Sequence, residues 1–168
     1  MARLFFNEVE AVKIAQNMEK QGLAFYEAAA ERAAGTSARD TFLQLAEEER
    51  KHLAQFQELE EDLQARRREG AGYADDEDIA AYIERLLQTQ VFAEEGDAAR
   101  LARDVKGDYE ALSVGMRAER DSILFYQEMI DLVDSPLARE AFGRILTEER
   151  QHLRLLGDRS EHCEDYQG

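Results

Sequence analysis

Apolar residues recur every three or four positions along four long stretches of the chain, and this spacing predicts four amphipathic α-helices. No stretch alternates apolar and polar residues in the way that a half-buried β-strand does. The predicted helices span residues 7–33, 38–68, 109–133 and 136–157. Helices of this length pack side by side, so the sequence predicts an all-α fold built as a four-helix bundle.

The connection between the second and third helices is much longer than the other two. It is a crossover of roughly 35 residues, which is long for a loop. Within it the pattern predicts short helices over residues 76–88 and 97–105, with a bend near Gly96. Such a helical crossover carries the chain from one end of the bundle to the other. We interpret residues 1–168 as one domain, with the bundle at residues 7–157 and a polar, acidic tail at residues 158–168.

Short connections join the helices within each half of the chain. Gly35 predicts a left-handed end to the first helix, and Thr36 or Ser37 a cap for the second. In the other half, Ser135 is the predicted cap, and Pro136 suits the first helical position. Short connections make the two helices of each pair antiparallel neighbours.

Charged residues interrupt the apolar faces at matching places in the two halves. The sequence Glu-Arg-Lys-His at residues 49–52 returns one hundred positions later as Glu-Arg-Gln-His at residues 149–152. Thirty residues before each motif stands another Glu, followed seven residues on by a Tyr. The repeated residues are Glu19, Tyr26, Glu49, His52, Glu119, Tyr126, Glu149 and His152. The repeat indicates a duplicated helical hairpin, so we expect approximate twofold symmetry about a shared site.

The Glu-x-x-His spacing suits metal binding on a helix. Residues three apart lie on one face, so the Glu and the His can turn toward one point. Four carboxylates gathered inside a bundle repel one another and must take up protons or bind cations. Two divalent ions would balance the four repeated glutamates. Oxygen and imidazole ligands without thiolate suit iron or manganese, and zinc can substitute in vitro.

Composition argues against several other classes of protein. The 37 acidic and 21 basic residues give a net charge of −16, whereas nucleic-acid binding requires clustered Lys and Arg. No apolar stretch approaches the ~20 residues that cross a bilayer, and no secretory leader is visible. Cys163 is the lone cysteine, so one chain can form neither an internal disulfide nor a thiolate metal centre. We expect a soluble, cytoplasmic protein without nucleic-acid or membrane partners.

The repeated motifs resemble those of the ferritin-like diiron-carboxylate proteins, specifically the rubrerythrin branch. That class takes one Glu from each of two helices and Glu-x-x-His from each of the other two. The pattern is filled by Glu19, Glu49, His52, Glu119, Glu149 and His152. Residues 118–126 are also similar to the third helix of rubrerythrin-like proteins, and the likeness runs from about residue 8 to 157. The resemblance implies a ferritin-like bundle holding two iron ions.

Two departures from the rubrerythrin pattern bear on function. Rubrerythrins proper carry a rubredoxin module whose Cys-x-x-Cys pairs hold an electron-transfer iron, which one cysteine cannot provide. Electrons must therefore come from an external donor. Rubrerythrins also place an extra Glu one turn after the third-helix ligand, where this chain has Ser122, paired in the repeat with Gly22. The missing Glu argues against efficient rubrerythrin-type peroxide reduction, while the small side chains leave a pocket for dioxygen or peroxide.

The tyrosines of the repeat are the catalytic candidates, and two interpretations are open for them. Tyr26 and Tyr126 either donate hydrogen bonds to carboxylate ligands across the bundle or are core aromatics with solvated hydroxyls. In the first case they steady the carboxylates or protect against stray oxidation. The second case gives them no part in the chemistry.

The remaining polar repeats are expected at the surface. Arg50 and Arg150 follow the motif glutamates by one residue, so they should point outward and pair with Glu47 or Glu148. The His-Cys pair at residues 162–163 is either a weak surface metal site or part of a disordered tail.

The leading functional hypothesis is a non-haem diiron oxidoreductase whose diferrous centre reacts with dioxygen or hydrogen peroxide. One alternative is an iron-binding protein for storage or delivery, and another is a structural helical protein whose metal stabilises the bundle. Repeated turnover with an artificial electron donor would distinguish the enzyme from the other two. We expect a homodimer, with the region of residues 70–106 as a possible interface.

Overall fold

This computed structural model describes residues 7–67 and 77–164. These residues form four long helices and two short ones, together with turns. The helices are α1 (Glu8–Arg32), α2 (Thr36–Arg67), α3 (Glu77–Gln88), α4 (Asp97–Asp104), α5 (Asp108–Leu132) and α6 (Pro136–Glu161). The long helices α1, α2, α5 and α6 form the bundle, and α3 and α4 lie in the crossover. The all-α prediction is confirmed. The helix limits differ from the predicted ones by a few residues, and the predicted start of α3 at Asp76 lies outside the described ranges.

Side-chain caps fix the starts of two bundle helices. The Asn7 side chain accepts a hydrogen bond from the backbone N–H of Glu10 at 3.0 Å and so caps α1. The Ser135 hydroxyl accepts from the backbone N–H of Ala138 at 3.3 Å, and Pro136 occupies the first turn of α6. The predicted boundary at Ser135 and Pro136 is therefore confirmed.

Gly35 does not adopt the left-handed conformation that its sequence context suggested. Among the residues described, only Gly96 has a positive φ, of 87°, at the predicted bend before α4. Gly35 instead lies against the start of α5, where its backbone N–H donates to Asp108 Oδ2 at 2.8 Å. A Cβ at position 35 would lie 3.1 Å from the same oxygen, so the glycine provides space. Helix α2 begins at Thr36 itself, which places Ser37 within its first turn.

Helix α6 continues past its predicted end at Gly157, as far as Glu161. Its last turn packs against the start of α2, where Arg159 Nε donates to Thr41 Oγ1 at 2.9 Å. Ser160 in the same turn is buried. Residues 158–161 therefore belong to the bundle, and the polar tail begins later than expected.

The two hairpins repeat each other in their hydrogen bonds as well as in sequence. Arg39 donates to the carbonyl of Ala33 at 3.2 Å, and Arg139 donates to the carbonyl of Val133 at 2.8 Å. The turn of each hairpin is also bound by a carboxylate from the first turn of the other hairpin: Asp108 accepts from Gly35 N, and Glu8 accepts from Ser135 N. The expected twofold relation is thus present in backbone contacts far from the candidate site.

The directions of the helices explain the long crossover. Tyr26 of α1 contacts Glu119 of α5, while Glu19 of α1 contacts Tyr126 of α5, so α1 and α5 run antiparallel. Since α2 is also antiparallel to α1, α2 and α5 run in the same direction. The chain between them must return to the other end of the bundle, and the described part of this connection is residues 77–107. Ala98 and Ala102 of α4 are buried on this return path, where α4 packs against α1.

Two apolar clusters lie on either side of the middle of the bundle. One contains a triad of rings, Phe56, Tyr126 and Phe142, whose centroids lie 5.3–5.7 Å apart. The other contains Phe25 and Phe42 with Leu45, Leu112 and Leu156. The region between them holds the buried glutamates and histidines. No helix in either described range is long and apolar enough to cross a membrane.

Replacing Phe42 by Ala should destabilise the fold by about 3–5 kcal/mol, because its fully buried ring would leave a cavity. The neighbouring Leu43 is 53% exposed, so Leu43→Ala should change the free energy of unfolding by no more than about 0.5 kcal/mol. Denaturant unfolding of the two variants checks this. Equal losses for both would contradict the assignment of the inward face of α2.

Candidate metal centre

The four bundle helices each bring a ligand-type side chain to the same level of the bundle. Helices α1 and α5 each supply one Glu, whereas α2 and α6 each supply a Glu and a His three positions apart. All six predicted ligand residues are buried, with exposures from 0 to 6%: Glu19, Glu49, His52, Glu119, Glu149 and His152. The structure therefore brings together every residue of the predicted ligand set.

The six side chains fall into two overlapping groups. Glu19 and His52 form one group with Glu49 and Glu149, and Glu119 and His152 form the other with the same two glutamates. Within each group, one potential ligand atom from every residue lies within 4.8 Å of the others. Because Glu49 and Glu149 belong to both groups, they are the side chains that could bridge two ions. The arrangement offers two adjacent candidate positions for cations.

The histidines face the carboxylates through Nδ1. His52 Nδ1 lies 3.2 Å from Glu149 Oε1 and 3.4 Å from Glu19 Oε2. His152 Nδ1 lies 2.9 Å from Glu149 Oε2 and 3.8 Å from Glu119 Oε2. The two imidazole rings stack with centroids 5.4 Å apart and planes at 22°. Each ring thus turns one nitrogen toward the shared glutamates.

Several of these buried atoms have no hydrogen-bond partner in the described structure. They are Glu19 Oε2, Glu49 Oε1, His52 Nδ1 and Glu149 Oε1. A buried carboxylate or imidazole atom left without a partner costs free energy, and such groups are normally paired or bound to a metal. All four atoms are oxygen or imidazole nitrogen, the donors that iron, manganese and zinc accept. The residues present therefore fit a pair of divalent cations.

Burial and mutual repulsion dominate the electrostatics of the carboxylates. Burial raises the pKa of Glu49 well above its usual range, and the charges of Glu19 and Glu149 raise it further. The pKa of Glu119 is also raised well above its usual range, first by burial and then by the charge of Glu149. Without a cation, these groups are therefore driven to hold protons.

His52 supplies the positive charge in the absence of metal. Burial acts to lower its pKa, but contacts with Glu149 and Glu19 outweigh burial and raise it to about 11. Burial acts to raise the pKa of Glu19, and the close contact with the charged His52 reverses this and lowers it. His152 behaves differently, because burial lowers its pKa. A protonated His52 is thus a partial substitute for the cations that the ligand set would accept.

The tyrosines of the repeat cross the bundle in a reciprocal pair. The Tyr26 hydroxyl donates to Glu119 Oε1, and the Tyr126 hydroxyl donates to Glu19 Oε1. Both tyrosines are at most 1% exposed, so the alternative of core aromatics with solvated hydroxyls is wrong. Burial raises the pKa of both hydroxyls, so they stay protonated as donors. Each hydrogen bond engages one oxygen of a carboxylate and leaves its second oxygen for another partner.

A small cavity of about 20 Å³ reaches the site from the side of α1 and α5. Its lining includes Gly22, Glu49, Glu119 and Ser122, together with Phe92 of the crossover. The pocket expected beside residues 22 and 122 is therefore present. Gly22 allows the close approach of Glu49, because a Cβ at position 22 would lie 2.6 Å from Glu49 Oε2.

One contact to the site is not apparent from the helical periodicity of the sequence. Glu148 was expected to pair with Arg150 at the surface, but its Oε2 lies 2.7 Å from His52 Nε2. Since this contact joins α6 to α2, only the repeat of Glu48 as Glu148 hinted at it in the sequence. The surface role expected of Arg50 is correct, because Arg50 pairs with Glu47 at 2.5 Å and with Glu27 at 2.7 Å.

The His-Cys pair at residues 162–163 does not take part in a candidate metal group within residues 7–67 and 77–164. His162 Nδ1 lies 2.7 Å from the carbonyl oxygen of Asp158, one turn earlier in the chain. The third histidine therefore caps the end of α6 rather than extending the site.

A four-helix bundle with a long crossover and a buried Glu/His cluster between its helices defines a ferritin-like protein with a candidate two-metal centre. The family model described as Rubrerythrin matches residues 10–160, and the chain belongs to the rubrerythrin family. This confirms the family resemblance drawn from the repeated motifs. No curated protein sequence matches the chain significantly.

Two solved structures share the fold. A DUF305 fragment from Deinococcus radiodurans superposes with a TM-score of 0.67 and 17% identity, covering 93% of this chain and 96% of that one. A two-domain protein from Anabaena variabilis, with DJ-1/ThiJ/PfpI-like and ferritin-like domains, has a TM-score of 0.64 and 14% identity. That match covers 98% of this chain but only 43% of the other. At these identities the likeness concerns the fold alone.

Without metal, the free energy of unfolding should fall as the pH rises from about 6.5 to 8.5. The folded-state pKa values of Glu49 and Glu119 lie well above the ordinary value of 4.5, so their contribution to stability is complete below pH 4.5 and is lost as the pH rises above it. The contribution of His52 is complete below 6.5 and is lost toward pH 11. Two groups act oppositely: Glu19 as the pH falls below 4.5, and His152, whose pKa is lowered by burial, as the pH falls below 6.5. Denaturant unfolding in the presence of a chelator measures the slope.

The matched variants for this measurement are Glu49→Gln and Glu47→Gln. Glu49→Gln removes a buried titrating group and should flatten the slope, whereas Glu47 has a side chain 56% exposed and should leave it unchanged. A stability that rises with pH in the wild-type apoprotein would contradict the electrostatic description of the site.

Proposed function

We propose that the protein is a non-haem diiron oxidoreductase that uses hydrogen peroxide or dioxygen as oxidant. The observation that carries the proposal is the pair of overlapping buried ligand groups joined by two shared glutamates, Glu49 and Glu149. A structural cation needs only one such group. Two adjacent positions that share carboxylates suit chemistry in which two electrons leave the site together.

The six ligand residues would hold the two irons as two halves of one centre. Glu19 and His52 would complete one position, Glu119 and His152 the other, and the shared glutamates would hold both. Two bound ferrous ions would supply two electrons, which with two protons reduce one molecule of hydrogen peroxide to two of water. Carboxylates can change between one and two donor oxygens, which suits a metal that changes oxidation state.

Tyr26 and Tyr126 position the terminal glutamates. Each hydroxyl holds Oε1 of the glutamate opposite, so that Oε2 faces the ligand cluster. Because burial raises their pKa, both hydroxyls keep their protons at neutral pH. They also stand beside the site as phenol groups able to supply a proton or an electron, which fits the protective role expected from the sequence.

The cavity beside the site supports a small oxidant. Its volume of about 20 Å³ has room for roughly one water-sized molecule. It reaches Glu49 and Glu119 directly, and its wall carries Ser122 in place of the additional glutamate of rubrerythrins. Dioxygen and hydrogen peroxide are of suitable size, whereas bulky organic hydroperoxides are not.

Iron storage or delivery is the second candidate function, and Ser122 is the observation that favours it. Without the additional carboxylate in the cavity, iron oxidised at the site has one ligand fewer to hold it through repeated cycles. In this function the centre would oxidise ferrous iron once and then release it. In the enzyme an external electron donor would reduce the iron again. For either function we propose that the protein is a homodimer.

Anaerobic loading of the apoprotein with ferrous iron should give about two irons per chain. Adding peroxide should then oxidise both, seen as growth of near-ultraviolet absorption, and repeated peroxide additions with an artificial donor should be consumed. The double variant Glu49→Ala/Glu149→Ala should bind less than one iron, while the exposed Glu47→Ala should behave as wild type. Iron release after one oxidation would favour storage or delivery, and full activity of the double variant would overturn the proposal.

Replacing Gly22 by Ala should weaken iron binding by about tenfold or more, because the new Cβ displaces the Glu49 carboxylate. The displaced oxygen is the end of a flexible side chain, so the fold should be retained. Gly143→Ala is the matched control, since a Cβ there meets nothing within 4 Å. Anaerobic ferrous titration compares the two, and equal affinities would show that the close approach at Gly22 does not position Glu49.

A further inference from the structure

The two halves of the candidate centre differ in what holds the outer nitrogen of each histidine. His52 Nε2 lies 2.7 Å from Glu148 Oε2, so a carboxylate on α6 fixes the ring on the side away from the ligand cluster. His52 is fully buried, while the side chain of Glu148 is 34% exposed. Across residues 7–67 and 77–164, no hydrogen bond reaches His152 Nε2.

The sequence repeat shows why the two sides differ. Glu48 is the counterpart of Glu148, and it lies close enough to both imidazoles to form a group with them. Its carboxylate is instead bound by Lys51 Nζ at 2.9 Å. The counterpart of Lys51 is Gln151, which carries no charge to compete for Glu148. One substitution in the repeat therefore separates the two histidines.

We propose that Glu148 is a positioning residue that makes the site of Glu19 and His52 the tighter of the two metal positions, and that Lys51 weakens the other by withholding Glu48 from His152. This inference rests on the proposed two-metal centre.

The physical basis is the choice of tautomer. A histidine that binds a metal through Nδ1 carries its proton on Nε2, and an acceptor at Nε2 fixes both the tautomer and the ring orientation. His52 has this acceptor, so when a cation displaces the proton that Nδ1 holds in the apoprotein, the ring is already oriented with its Nε2–H on Glu148. His152 lacks such an acceptor, and its Nδ1 is instead hydrogen-bonded to Glu149 Oε2 at 2.9 Å, so the ring and its tautomer must be reordered when a metal binds through Nδ1. That reordering reduces the affinity of the second position.

Anaerobic titration of the apoprotein with Co²⁺ tests the proposal, with calorimetry for affinity and ligand-field absorption for the environment of each ion. The wild type should bind two ions in distinguishable steps. Glu148→Ala should weaken the tighter step by about 10- to 100-fold. Glu48→Ala should change neither step by more than about threefold, because Glu48 is bound by Lys51. His52→Gln should remove the tighter step, and His152→Gln the weaker one.

Two further variants separate positioning from charge and from folding. Glu148→Gln keeps a hydrogen-bond acceptor without the charge, so it should retain most of the tight binding that Glu148→Ala loses. Lys51→Gln copies the second half of the repeat and should strengthen the weaker step by about two- to fivefold, the scale of one surface ion pair. Circular dichroism confirms that each variant is folded.

The results that overturn the inference differ from those that overturn the proposed function. Two equal binding steps in the wild type, or equal losses in Glu148→Ala and Glu48→Ala, would refute the inequality while leaving the two-metal centre intact. Failure of the wild type to bind two cobalt ions would refute both.

Discussion

Four glutamate side chains buried between four helices are the constraint on which the rest of the structure depends. Burial raises the pKa values of Glu49 and Glu119, the neighbouring carboxylates raise them further, and without metal the charge of His52 offsets part of this cost. The cost is met because two apolar clusters above and below the site hold the helices in place. The bundle thus keeps a ligand set together that would separate if the helices were free.

The site has near-twofold symmetry, and a few positions of the repeat depart from it and make the two halves of the site unlike. The reciprocal tyrosine bonds and the paired arginine contacts of the hairpin turns follow the symmetry closely. Position 22 is glycine where position 122 is serine, and the cavity enters beside both. Position 51 is lysine where position 151 is glutamine, and the two histidines are held differently. A duplicated hairpin has in this way become two unlike halves.

The crossover has a role beyond linking the hairpins. Val91 N donates to Asp121 Oδ2 at 2.8 Å, and Phe92 packs on Phe25 with ring centroids 5.4 Å apart. These contacts place residues 90–92 along the wall of the cavity that leads to the site. The crossover is required because α2 and α5 run in the same direction. It therefore also forms part of the cavity wall. The crossover thus covers part of the buried carboxylate cluster on this side of the bundle.

The sequence by itself determined the helices, the repeat and the six ligand-type residues, because each depends on local periodicity. A Glu and a His three apart share a helix face whatever the neighbouring helix is, and Ser135 with Pro136 starts a helix through the Ser135 hydroxyl and the fixed φ of proline. Only the tertiary structure decided that Tyr26 binds Glu119, that Glu148 holds His52 and that Gly35 makes room for Asp108. Each of these pairs joins two different helices or a helix and a turn. The distance between the two members of each pair depends on how the helices pack against one another. The periodicity of a single helix carries no information about that packing.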